Sequence, residues 1–100
     1  MSQPLTTEEA QKQVDHLKAV VKKCRRQARK YREQALNTPM EQWDTLIKFA
    51  EKRDAAEELL LNLRYELIKA KIDLHNLQIA ELERENEAFK ARLREKYSTE

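Results

Sequence analysis

The stretch Leu59–Leu93, LLLNLRYELIKAKIDLHNLQIAELERENEAFKARL, is apolar on two opposite faces of one helix through its first two thirds. With Tyr65 as position a of a heptad, one seam reads Leu61, Tyr65, Ile68, Ile72, His75, Ile79, Leu82, Asn86, Phe89 and Leu93. A second seam on the other side reads Leu46, Phe49, Arg53, Ala56, Leu60, Leu63, Leu67, Ala70, Leu74 and Leu77. Both advance by alternating threes and fours, the spacing that keeps side chains turned toward a neighbouring helix. A helix with two such seams requires two partners.

The first partner lies upstream. Thr6-Thr7-Glu8-Glu9 has the form of a capping box, with Thr6 accepting from the Glu9 backbone and Glu9 reaching back. The helix it opens carries its own seam: Ala10, Val14, Leu17, Val21, Cys24, Ala28, Tyr31 and Ala35. Asn37 closes that helix. Thr38, Pro39 and Glu41 then fit the N-cap, first and third positions of the next one. So few non-helical residues force the two helices to fold back on each other.

The reading is therefore all-α: a flexible tail over residues 1–6 and one domain over 7–97. That domain is an antiparallel hairpin of helices 7–37 and 39–97, the second extending as a coiled coil and associating into a dimeric bundle or coiled coil. Ala35 to Ala10 spans as many turns as Leu46 to Ala70, which places the first helix along that part of the second seam. Leu74 and Leu77 are expected beyond it, within reach of Leu5. Trp43 is expected to fold over the apex with Met40 and Ile47.

Composition supports long helices over a globule. Gly is absent, charged residues make up 38% of the 100-residue chain and aromatic residues 6%. A chain without Gly makes few tight turns, and it cannot build a Gly-rich phosphate loop. Five charges between Leu59 and Ala80 (Arg64, Glu66, Lys69, Lys71 and Asp73) argue against a membrane span. Met1–Thr7 is short and polar, unlike a signal peptide. A single cysteine, Cys24, allows no intramolecular disulfide. Cytoplasm or another reducing intracellular compartment is the expected location.

The open seam from Leu61 to Leu93 calls for the second partner, either another copy of the chain or a different coiled-coil protein. Asn86 at an a position favours a parallel pair, in which it meets its own counterpart. Glu85 facing Lys90 supports that orientation, whereas Arg64 facing Lys69 opposes it.

A second candidate surface is basic. Lys18, Lys22, Lys23, Arg25, Arg26, Arg29, Lys30 and Arg32 put eight cations into fifteen residues with no acid among them. Such a run suits an acidic protein or a phosphate backbone. The competing account is a solvated face matched by Glu51, Asp54, Glu57 and Glu58 on the adjacent helix, close to Arg26 and Arg29.

Neither His16 nor His75 has metal-ligand spacing on its helix, and no metal or cofactor is expected. Cys24 reads as a small buried hydrophobe. With no nucleophile beside a base and no concave site, an enzyme and a small-molecule substrate are not expected. The expectation is a non-enzymatic interaction protein acting as a homodimer, such as an adaptor, a chaperone-like cofactor or an assembly subunit. The alternative is a small nucleic-acid-binding dimer. Heptads and capping boxes are generic and point to no particular family.

Overall fold

The structure, a computed structural model, describes residues 5–98. It is an antiparallel helical hairpin of α1, Thr7–Asn37, and the longer α2, Trp43–Tyr97, joined through a 3₁₀ turn at Met40–Gln42. The described residues contain no strand. The molecule measures 91 × 29 × 14 Å, a flat bar rather than a globule. Most of the tail expected over residues 1–6 lies outside the described residues. Thr6 is ordered as the cap of α1.

That cap is a local consequence of sequence. The Thr6 hydroxyl accepts a hydrogen bond from the Glu9 N–H at 3.1 Å, satisfying one of the unpaired donors at the helix start. Glu8 and Glu9 in the first turn add a favourable interaction with the helix dipole. At the other end, Thr38 departs from the expected role. Its hydroxyl donates to the Gln34 carbonyl at 2.6 Å and its N–H to the Ala35 carbonyl at 3.4 Å, so it closes α1 instead of opening α2.

The residue before a proline is held extended, as Thr38 is at ψ 123°. Pro39 is extended as well, at ψ 151°. The chain turns only afterwards, where the Gln42 N–H reaches the Pro39 carbonyl. Helix α2 accordingly begins at Trp43 and not at Pro39.

This later bend resets the register. Ala10 and Val14 pack with Ala70 and Leu74, with Leu17, Leu67 and Leu77 around them. Val21 and Cys24 pack on Leu60, flanked by Leu63 and Leu67. Leu74 thus lies inside the hairpin, about one turn deeper than the sequence spacing places it. Leu5 shares a shallow hollow with Asp73, Asn76 and Leu77, and the Thr7 hydroxyl is hydrogen-bonded to the Glu81 carboxylate. Beyond Glu81, α2 continues without α1 beside it.

The α1 seam supplies Ala10, Val14, Val21, Cys24, Ala28 and Ala35 as buried residues. Its alanines allow close helix approach, and its larger residues supply the apolar area removed from water. Cys24 is buried, and its thiol donates to the Ala56 carbonyl at 3.6 Å. The apex differs from expectation. Trp43 and Met40 are mostly in water, because the 3₁₀ turn carries them past the end of α1 instead of over it, and Leu36 in the last turn of α1 is 78% exposed.

Truncating the buried Leu74 to Ala should cost about 2–3 kcal/mol through lost transfer energy and the cavity left behind. Leu36→Ala at the exposed apex should change stability by less than about 0.5 kcal/mol. Urea denaturation followed by circular dichroism measures both.

Candidate interaction surfaces

The hairpin consumes one seam of α2 and leaves the other in water. Every residue from Leu61 through Tyr65, Ile68, Ile72, His75, Ile79, Leu82, Asn86 and Phe89 to Leu93 is exposed. Exposure of the large apolar and aromatic members runs from 38% at Leu93 to 64% at Leu61 and Leu82. These eight side chains form a stripe about 48 Å long at 1.5 Å per residue. With roughly 100 Å² of each left in water, about half the area of a large side chain, the stripe exceeds the few hundred Å² typical of soluble monomers. Charged residues flank it, and the Lys69 ammonium lies 5.8 Å from the Tyr65 ring centroid.

All eight cations between Lys18 and Arg32 are exposed as well. Helical spacing divides them. Lys18, Lys22, Arg25, Arg29 and Arg32 advance by steps of four and three, which aligns them on one flank of α1. Lys23, Arg26 and Lys30 sit toward the opposite flank, where they line a hollow with Gln27 and Tyr31. There the Lys52 ammonium lies 5.9 Å from the Tyr31 ring centroid.

The expected matching acids are largely elsewhere. Arg32 pairs with Glu57 at 2.7 Å. Asp54 is engaged with its own neighbour Arg53 at 3.1 Å. Among the described residues, Arg32 is the one member of the eight with an acidic partner within 4.0 Å. Glu51 and Glu58 are exposed and make no such pair with Arg26 or Arg29. Complementarity between the helices therefore neutralises little of the run.

In place of those acids, the fold adds a cation. Arg25, Arg29 and Arg32 of α1 converge with Arg64 of α2 around an open cleft of about 380 Å³, floored by Ala28, Leu60 and Leu61 and containing Glu57. Arg64 does not belong to the eight-residue run, and only the hairpin register brings it there. A helical wheel of α2 aligned on Leu60 and Cys24 is the sequence signal that would have found it.

His16 and His75 are both exposed and lie on different helices. Among the described residues, no group of three or more His, Cys, Asp or Glu could hold a metal ion, and no helix is long and apolar enough to cross a membrane. Comparison with protein-family models, curated proteins and solved structures finds no match.

Because Arg32 and Glu57 retain 61% and 37% of their side-chain surface in water, solvent screens their attraction. Arg32→Ala should alter the unfolding free energy by less than about 1 kcal/mol, measured by urea titration.

Proposed function

We propose that this chain is a non-enzymatic interaction protein, an adaptor, chaperone-like cofactor or assembly subunit, that acts as a homodimer closed over the open seam of α2. The carrying observation is that the seam keeps coiled-coil spacing for its full length while α1 occupies the opposite side of the same helix. Heptad order over ten consecutive seam positions is maintained by a partner helix and has no use on a solvated face. A second copy is the partner always available, and a symmetric pair covers both seams at once. Asn86 supports the parallel arrangement, since it then meets its counterpart within the seam. A different coiled-coil protein on the same seam is the competing occupant.

A second reading, that the dimer binds nucleic acid through its basic face, is favoured by the lack, among the described residues, of an acidic partner within 4.0 Å for seven of the eight cations. The two readings use neighbouring surfaces that meet at Leu61, which belongs to the open seam and also lines the arginine cleft.

Ile72→Glu or Leu82→Glu places a carboxylate in the open seam without touching the residues packed between α1 and α2. Each should reduce the mass in light scattering from twice the chain's 11.9 kDa to 11.9 kDa, with the helical signal of the hairpin retained. Variants that keep the doubled mass would show that association uses another surface.

A further inference from the structure

We infer that the flank of the hairpin formed by Lys18, Lys22, Arg25, Arg29 and Arg32 of α1, completed by Arg64 of α2, is a track for the phosphodiester backbone of a nucleic acid. This inference gives a site and a ligand class to the second functional reading and rests on it.

The arrangement is linear. From Lys18 to Arg32 the five α1 cations cover about 21 Å, one every 5 Å or so, at 1.5 Å per residue. All are exposed, and they share one side of a helix that is packed against α2. A regular row of this kind meets successive phosphates of a strand, where each contact releases a condensed counterion. Arg64 approaches from the second helix, so the row becomes a cleft at its Arg25–Arg32 end.

The chemistry favours phosphate. Four of the six cations are arginines, whose planar guanidinium forks bind phosphate oxygens in pairs. The single acid in the cleft, Glu57, is held by Arg32.

An acidic protein is the weaker fit. Protein partners take their affinity from buried aromatic and aliphatic anchors; the row itself carries none, and the apolar floor of Ala28, Leu60 and Leu61 lies only at its Arg25–Arg32 end. Nor is a base-stacking platform present on this flank. Tyr31 lies on the other side with Lys52 over its ring, so binding should ignore sequence.

The test is fluorescence anisotropy with a labelled 20-base single strand and a 20-base-pair duplex of arbitrary sequence, titrated from about 50 to 200 mM salt. Five to six phosphate contacts predict a log–log salt slope near −5 on the duplex, which is about a thousandfold loss of affinity across that range. Arg64→Gln should reduce the slope by about one, and Arg25→Gln/Arg29→Gln/Arg64→Gln by about three. Lys23→Gln/Lys30→Gln on the opposite flank should change it by less than one.

All these side chains are exposed, and Gln matches Lys and Arg in helix propensity, so circular dichroism should be unchanged in every variant. The inference falls if neither oligonucleotide binds at about 50 mM salt, if both flanks contribute equally, or if polyglutamate binds and nucleic acid does not. Sedimentation of the same samples separates this from self-association: a monomer that still binds along the track would overturn the homodimer alone.

Discussion

The packing of Ala10 and Val14 against Ala70 and Leu74 closes the hairpin far from its bend, and the remaining surfaces are placed by it. Because this contact lies near the start of α1, the shorter helix is committed to the Leu60–Leu77 side of α2 along its length. Among the described residues, the opposite side of α2 has no intramolecular partner. A collapse of α1 onto the Ile68–Ile79 side would expose Leu60, Leu67 and Leu74 in its place. Among the described residues the buried set contains no polar or charged side chain, so apolar packing holds the register that the bend sets.

Much of this was legible in the chain itself, for a local reason. Seam residues recur every three or four positions whatever the helix packs against, so the buried sets of α1 and α2 could be read before either helix was placed. The register was legible only to within about one turn. Thr38 suits both the end of one helix and the start of the next, and its hydroxyl is drawn to the Gln34 carbonyl, which moves the bend to Met40–Gln42. That single displacement brings Leu74 into the core and leaves Trp43 outside it.

The basic run was visible as composition, but its division between two flanks depends on helical phase, and the addition of Arg64 depends on the register. Its acidic counterparts were only partly legible, because an exposed side chain pairs with whichever cation its rotamer reaches. Asp54 turns to Arg53, and one acid, Glu57, crosses to α1. Such contacts are weak and easily exchanged, so sequence cannot rank them.

The two proposed surfaces meet on α2. Arg64 lies between Leu61 and Ile68 of the open seam, so a partner helix seated there would border the arginine cleft without entering the α1 row. Past Glu81, where the Thr7 hydroxyl ends the reach of α1, residues 82–97 have no packing from α1, and the proposed partner is what would cover them. A helix end without a packed face opens locally more easily than the packed hairpin.

Hydrogen exchange at graded protein concentration therefore tests the central claim, that α2 serves two partners. Amides of residues 82–97 should be protected when the chain is concentrated and lose protection on dilution, while those of the Ala10–Leu77 hairpin stay protected throughout. Protection of the distal segment that does not change with concentration, or its absence at every concentration, would contradict the account.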